Sequence, residues 1–203
     1  MKFKNFTLFS ILSIALLSGC GDKEKIDDNA LVKPTQQSFD KETTKQRVAP
    51  VFNLKTHTGK SIKVTADVKN GWKFEGLEGK AVLLDFFGTW CPPCKAEIPH
   101  LNNIREKLKS DFEIVGIDIG NRDGSFNTPE QMASFVKEYD IKYPITITRE
   151  NINLFRAVSD LNPSGSIPFM ILFNKKGEFV QHYVGMKPEE MLYNDITATI
   201  KMK

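Results

Sequence analysis

Cysteine and histidine are scarce in this sequence, with three of each among 203 residues. Cys91 and Cys94 form a Cys-x-x-Cys pair, and no second pair follows. A structural zinc site normally takes four cysteine or histidine ligands, so the scattered histidines, His57, His100 and His182, are predicted to be surface or packing residues. Covalent haem attachment needs a histidine directly after the second cysteine, where Lys95 stands. These absences favour thiol–disulfide exchange at the pair.

The sequence also lacks a hydrophobic run long enough to span a membrane. Residues 6–17 are mostly apolar, but the run is shorter than the roughly 20 residues that a transmembrane helix requires. Because it follows Lys2 and Lys4, it is typical of a secretory signal peptide.

A strong net charge is missing as well. Removing both lysines would lower the formal charge of +3 by two, which gives no support for nucleic acid as a partner.

The apolar run ends in Leu17-Ser18-Gly19-Cys20, which resembles the lipobox of bacterial lipoproteins. That resemblance implies cleavage before Cys20 and lipidation of its thiol, so that residues 1–19 are a signal peptide. The alternative is an unpaired cysteine that follows an uncleaved helix. Export would place the protein outside the cytoplasm, where thiols are oxidised unless a dedicated donor keeps them reduced.

The rest of the chain divides into a polar segment and one domain. Residues 20–47 are rich in Lys, Asp, Glu, Gln and Thr, which indicates a flexible tether. Residues 48–203 alternate short β-rich runs with helical patterns. This alternation predicts an α/β sandwich built around a mixed sheet.

The cysteine pair falls between two predicted central strands, Ala81–Phe87 and residues 113–119. The segment after Cys94 is predicted to be an amphipathic helix, because apolar residues recur there at helical spacing: Ile98, Leu101, Ile104 and Leu108. The positive end of this helix dipole would stabilise a thiolate at the pair. Cys91 is therefore predicted to be the exposed nucleophile and Cys94 the recessed resolving thiol.

Three helices and a hairpin are predicted further along the chain. Thr128, Pro129 and Gln131 form a capping-box pattern at the start of the first helix. The other predicted elements are a helix near residues 153–161, strands Phe169–Phe173 and 178–184 around a turn at 174–177, and a closing helix from Pro188.

Residues 85–95, with the sequence Asp-Phe-Phe-Gly-Thr-Trp-Cys-Pro-Pro-Cys-Lys, resemble the active-site strand and turn of the thioredoxin superfamily. Pro99 matches its helix-kinking proline, Ile167-Pro168 its cis-proline loop, and residues 169–185 its terminal hairpin. The lipobox, the tether, Glu97 and an extra helix and strand before the cis-proline resemble the TlpA/ResA branch of membrane-anchored thiol-disulfide oxidoreductases. The implied fold is a thioredoxin-like three-layer α/β sandwich with a mixed central sheet.

The resemblance also implies roles for residues near the pair. Asp85, beneath it in an apolar strand, would have a raised pKa and accept the proton of Cys94. Glu97 would tune the thiols and shape the substrate cavity. The alternatives are a solvent-facing aspartate and a solvated helix charge. The substrate-binding residues implied are Trp90, Pro92, Pro93, Ile167 and Pro168, and no cofactor is expected beyond the redox-active Cys91–Cys94 disulfide.

Both residues between the cysteines are proline, so neither Pro92 nor Pro93 offers an N–H to a Cys91 thiolate. A less stabilised thiolate favours the disulfide, which predicts a reducing couple and hence a reductase of protein disulfides. The alternatives are a disulfide oxidase or isomerase, a copper-binding module and a peroxidase. The usual copper pattern spaces its cysteines by three residues rather than two.

The partners are implied by the resemblance alone. It implies a transmembrane thiol transporter of the DsbD or CcdA kind as electron donor and apocytochrome c as a client. We expect a monomer, anchored by lipid in the bacterial cell envelope, with its domain in the periplasm or another extracytoplasmic space.

Overall fold

A computed structural model of the protein describes residues 49–202. The predicted signal peptide, Cys20 and the tether lie outside these residues. Within the described part of the chain, every helix is too short or too polar to cross a bilayer.

A five-stranded mixed sheet forms the centre of the domain, in the order β6-β5-β4-β7-β8. Its strands are β4 (Ala81–Phe87), β5 (Phe112–Asp118), β6 (Ile145–Thr146), β7 (Phe169–Phe173) and β8 (Phe179–Val184). Strand β4 is parallel to β5 and antiparallel to β7. Every residue of these three strands is buried, which explains why their sequences are nearly continuous apolar runs.

Four helices connect the strands: α1 (Pro92–Leu108), α2 (Pro129–Glu138), α3 (Glu150–Ala157) and α4 (Glu189–Ile200). Strand β4 alternates between two cores. Leu83 and Phe87 pack with apolar residues of α1, α2 and α4, whereas Leu84 and Phe86 pack with α3 and with a small second sheet. The predicted three-layer α/β sandwich with a mixed sheet is therefore confirmed.

The second sheet was missed by the sequence analysis. It is antiparallel, in the order β1-β2-β3, and its strands are β1 (Val51–Lys55), β2 (Ser61–Thr65) and β3 (Lys73–Phe74). Phe52, Leu54, Ile62 and Val64 are buried between exposed neighbours, with the two-residue period of a half-buried strand. A backbone bridge between Thr56 and Thr146 joins this sheet to the edge of β6.

Three predicted elements have bounds other than those expected. The strand predicted at residues 113–119 lies one residue earlier, as β5 (Phe112–Asp118). The helix expected near residues 153–161 begins at Glu150 and ends at Ala157, and a separate 3₁₀ turn (Ser159–Leu161) follows the break at Val158. The last strand begins one residue later than expected, because the Glu178 amide donates to Asn174 Oδ1 in the turn, 3.0 Å away, and a bulge shifts the register of β7 and β8 there. The other strands and helices that were predicted are present, and Thr128 forms the predicted capping box with Gln131.

Candidate active site

Cys91 and Cys94 form a disulfide at the N-terminus of α1, with Cα atoms 5.3 Å apart. Cys91 is the N-cap of the helix, and its Sγ accepts a hydrogen bond from the Cys94 amide at 3.3 Å. Pro92 and Pro93 occupy the first helical positions, where a missing N–H breaks no intrahelical bond. The residues between the cysteines thus start the helix well but donate nothing to the Cys91 sulfur.

The predicted exposure of Cys91 is wrong for this disulfide form. Cys91 is 2% exposed and Cys94 is 4% exposed, so accessibility does not distinguish the two. Trp90 and Ile167 pack against the apolar cluster that contains both cysteines. What distinguishes Cys91 is its position as the N-cap, where its sulfur meets the Cys94 amide.

The Ile167–Pro168 peptide bond is cis, as predicted, and directly precedes β7. Phe86 near the end of β4 pairs with Phe169 at the start of β7. The loop after β4 and the loop before β7 therefore meet at the same end of these two strands. The Ile167 carbonyl oxygen consequently lies 3.8 Å from Cys91 Sγ. The Pro168 carbonyl already accepts the Gly185 amide at 2.8 Å, so it is engaged within the domain.

Asp85 lies in the middle of β4, on the face that also carries Leu83 and Phe87 and that α1 covers. It is 4% exposed, and its Oδ1 has no hydrogen-bond partner among the described residues. Burial raises the pKa of Asp85 well above its usual range, and the negative charge of Glu97 raises it further. The alternative of a solvent-facing aspartate is therefore excluded.

Glu97 lies one turn beyond Cys94 in α1 and is 1% exposed. Its Oε1 accepts the Lys187 amide at 2.9 Å, and its Oε2 is without a partner among residues 49–202. Burial raises the pKa of Glu97 to about 7, although the Lys187 amide and ammonium oppose the shift. Glu97 is thus a buried carboxyl and not a solvated helix charge.

Tyr143, which the sequence analysis missed, is a third titratable group in this region. Its pKa is raised well above the usual range, first by burial and then by the charges of Asp85 and Glu97. Because the charges of Asp85 and Glu97 act on Tyr143, the two carboxyl groups and the phenol lie close together. Tyr143 belongs to the same apolar cluster as the two cysteines. A single aromatic residue before a proline carried no signal of this in the sequence.

A second polar network, also missed, supports the turn that carries the disulfide. Asp118, fully buried at the end of β5, accepts the Asn127 side-chain amide at 2.9 Å and the Gly120 backbone amide at 3.2 Å. The Asn127 amide also lies 3.4 Å from the Thr89 hydroxyl. Gly120 in turn accepts the Trp90 indole N–H on its carbonyl oxygen at 2.9 Å. The end of β5 therefore holds the two residues that precede Cys91.

Comparison with known proteins now identifies the family. Residues 46–201 match the AhpC/TSA family. The chain belongs to that family. Among curated relatives, the thiol-disulfide oxidoreductase ResA of Bacillus subtilis (strain 168) is 30% identical over 147 residues, covering 72% of this chain and 70% of the relative. ResA of Bacillus anthracis is 28% identical over 193 residues, covering 93% and 94%. The predicted likeness to ResA is confirmed, and this AhpC/TSA-family protein is a thiol-disulfide oxidoreductase.

Solved structures support the same assignment for the fold of the AhpC/TSA domain. A thiol:disulfide interchange protein of the thioredoxin family from Chlorobium tepidum TLS aligns with a TM-score of 0.58 at 26% identity, covering 75% of this chain and 94% of that one. StoA from Bacillus subtilis aligns with a TM-score of 0.53 at 24% identity, covering 73% and 97%, and shows the fold alone. The predicted thioredoxin-like fold is confirmed.

Cys20 lies outside the described residues. The other predicted site residues belong to three neighbouring segments of the oxidoreductase domain, namely β4, the start of α1 with the turn before it, and the cis-proline loop. They are Asp85, Trp90, Cys91, Pro92, Pro93, Cys94, Glu97, Ile167 and Pro168. In residues 49–202 no group of three or more His, Cys, Asp or Glu side chains is arranged to hold a metal ion.

The raised pKa of Glu97 predicts a pH-dependent stability for the oxidoreductase. Its pKa is about 7 in the folded protein against an ordinary value of 4.5, so the folded state binds this proton more tightly. The resulting stabilisation is complete below pH 4.5 and is lost as the pH rises through 7. The difference between the two pKa values of Glu97 corresponds to about 3 kcal/mol of unfolding free energy. We expect Glu97→Gln to remove this contribution and to flatten the fall in stability in urea unfolding between pH 4 and 8, while the raised pKa values of Asp85 and Asp118 keep part of it.

Glu106→Gln is the matched control for that measurement. Glu106 is an exposed glutamate in the same helix, and its pKa is lowered by Lys109 rather than raised. This variant should keep the fall in stability between pH 4.5 and 8. Parallel stability curves for Glu97→Gln and the natural protein would contradict the prediction.

Proposed function

We propose that this oxidoreductase acts outside the cytoplasm as a reductase of protein disulfides. The observation that carries the proposal is the pair of prolines at the start of α1, which leaves the Cys94 amide as the hydrogen-bond donor at the Cys91 sulfur. Fewer donors mean a less stabilised thiolate, and a less stabilised thiolate makes the dithiol a better electron donor.

The first step is attack of the Cys91 thiolate on one sulfur of a substrate disulfide. A bond forms between Cys91 Sγ and that sulfur, the substrate disulfide breaks, and the other substrate sulfur leaves as a thiolate. The N-terminus of α1 supports this role because the helix dipole and the Cys94 amide both favour negative charge on Cys91.

In the second step, Cys94 resolves the mixed disulfide. Asp85 takes the proton from the Cys94 thiol, and the thiolate attacks Cys91 Sγ, which expels the second substrate thiolate. The two electrons of the dithiol have then passed to the substrate, and the enzyme holds its own disulfide. Burial and the raised pKa of Asp85 support its role, because a carboxyl with a pKa above its usual range takes up a proton more readily than an ordinary aspartate.

Substrate binding is assigned to the edge where the disulfide meets the cis-proline loop. The Ile167 backbone, next to Cys91 Sγ, would pair with an extended substrate segment in the manner of an added strand. Trp90, Pro92 and Pro93 supply an apolar surface around it, and Pro168, which is buried, supports the Ile167 backbone from within. Glu97 shapes the interior behind this surface and adjusts the proton affinity of Asp85.

Electrons must be resupplied after each cycle, and the resemblance to the ResA branch suggests the source. We assign the supply of electrons to a membrane thiol transporter of the DsbD or CcdA kind. The cysteine pair of apocytochrome c is the client that we propose. Lipidation at Cys20 would hold the monomeric domain in the cell envelope, with residues 20–47 as its tether.

The redox potential tests the direction of electron flow. Equilibration with glutathione, followed by quantification of both forms, should give a value closer to thioredoxin, about −270 mV, than to a strong periplasmic oxidase, about −120 mV. Pro93→Ala restores a backbone N–H beside Cys91, so the redox potential of this variant should be less negative than that of the natural protein. A tenfold change in the equilibrium constant with glutathione corresponds to about 30 mV. A potential near that of the strong oxidases would contradict the proposal.

Pro129→Ala is the matched control. Pro129 likewise occupies the first turn of a helix, α2, but it does not separate the two cysteines. Its potential should equal that of the natural protein.

A further inference from the structure

Arg122 places a positive charge directly beside the disulfide turn. Its guanidinium carbon lies 4.4 Å from the centroid of the Trp90 ring, and Trp90 immediately precedes Cys91. A guanidinium at this distance is attracted to the electron-rich face of an indole. The charge is therefore carried on the apolar surface that a substrate contacts.

This charge is exposed and uncompensated. No carboxylate of residues 49–202 forms an ion pair with Arg122. The carboxylate next to it in the sequence, Asp123, is held by the amide and hydroxyl of Ser125 at 2.9 and 2.7 Å. A negative group on a bound substrate would thus be the first partner for Arg122.

The segment that carries Arg122, residues 119–128 between β5 and α2, is fixed at both ends. At its start, the Ile119 amide donates to the Phe87 carbonyl at 3.0 Å. Gly120 adopts φ +84°, and a Cβ there would lie 2.8 Å from the Ser125 carbonyl oxygen, so the tight turn requires glycine. At its end, Asn127 is bound to the buried Asp118. The charge is consequently held in a defined place relative to Cys91.

We infer that Arg122 is a specificity-determining residue that selects protein disulfides with an acidic residue next to the attacked cysteine. The inference rests on the proposed reductase function and adds a substrate class to it. The exchange step is unchanged: Cys91 attacks the same sulfur, and Arg122 pairs with the neighbouring carboxylate as the substrate docks. An exposed pair of this kind alters rates by a few-fold and is screened by salt.

Three synthetic peptides provide the test. Each contains one intramolecular disulfide, and they differ only in whether Glu, Gln or Lys follows the first cysteine. The fully reduced protein is mixed with each peptide, and the second-order rate constant of peptide reduction is measured. At an ionic strength of about 0.01 M we expect the rate constant to be largest for the Glu peptide, about three-fold smaller for the Gln peptide, and about three-fold smaller again for the Lys peptide. We expect these differences to shrink near 1 M.

Variants assign the preference to one residue. Arg122→Gln should abolish the preference, and Arg122→Glu should invert it. Lys176→Glu makes the same change of sign in an exposed lysine of the β7–β8 turn, at the opposite end of β7 from Pro168, and should retain the natural order.

Each other outcome would overturn the inference. Retention of the natural order by Arg122→Glu would show that another group selects the substrate. Equal slowing of all three peptides by Arg122→Glu would show that the arginine acts on the thiol and not on the substrate. Reduction of all three peptides at one rate by the natural protein would leave the reductase function standing and refute the selection. Failure to reduce any of them would refute both.

Discussion

A Cys94→Ser variant is expected to remain covalently bound to its substrates through Cys91. Without the resolving thiol the mixed disulfide cannot break from the enzyme side, and reduction of insulin should fall to background. Cys91 is the N-cap with a hydrogen-bond donor at its sulfur, so it remains competent for the first attack. Non-reducing electrophoresis of the variant recovered from cells, followed by mass spectrometry of the adducts, measures the outcome and identifies the substrates.

The Cys91→Ser variant is the matched control for this trap. It keeps the Cys94 thiol, which is similarly buried at 4% exposed, but removes the sulfur at the N-cap. It should lose activity without collecting adducts. Adducts on Cys91→Ser, or none on Cys94→Ser when the natural protein is active in the same cells, would reverse or refute the assignment of the two thiols.

Asp85→Asn is expected to slow the resolution step by about 10²-fold while leaving the first attack nearly unchanged, because general-base catalysis typically contributes this much or more. In a single turnover of the reduced variant, the mixed disulfide should therefore accumulate and decay slowly. Quenching with acid and separating the species by mass gives both rate constants. The amide is nearly isosteric with the buried carboxyl, so the fold should be retained.

Asp118→Asn distinguishes proton transfer from a general effect of burial. Asp118 is also buried and its pKa is also raised, but its oxygens are occupied by Asn127 and Gly120. Because Asp118 also supports the turn before Cys91, this variant should change the first attack and the resolution step to a similar extent. If Asp85→Asn likewise changes both steps equally, or has no effect on resolution, Asp85 is not the base.

The parts of the fold that could be predicted are those with a local signal. Strand β4 was predicted with its observed bounds because Ala81–Phe87 is buried on both faces and therefore almost uniformly apolar. The start of α2 was predicted from its cap because Thr128 and Gln131 satisfy each other's backbone amides. The disulfide pair carries its own signal in its spacing.

The parts that were missed depend on contacts between distant segments. Strand β3 has two residues and exists because it pairs with β2, so no pattern within Lys73–Phe74 could indicate it. Asn127 meets Thr89, and Gly120 meets Trp90, only once β5 lies beside β4. The approach of the Ile167 carbonyl oxygen to Cys91 Sγ likewise joins residues that lie 76 positions apart in the sequence.

The pairing of β4 with β7 has a mechanical consequence for this enzyme. The disulfide follows one of these strands and the Ile167 backbone precedes the other, and a hydrogen-bonded ladder from Val82–Phe173 to Phe86–Phe169 ties the two together. Sliding one strand against the other would break that ladder in the fully buried centre of the sheet. The nucleophile and the backbone that pairs with a substrate peptide are therefore held at a fixed distance from each other. Adaptation to different substrates then depends on movements of the surrounding side chains.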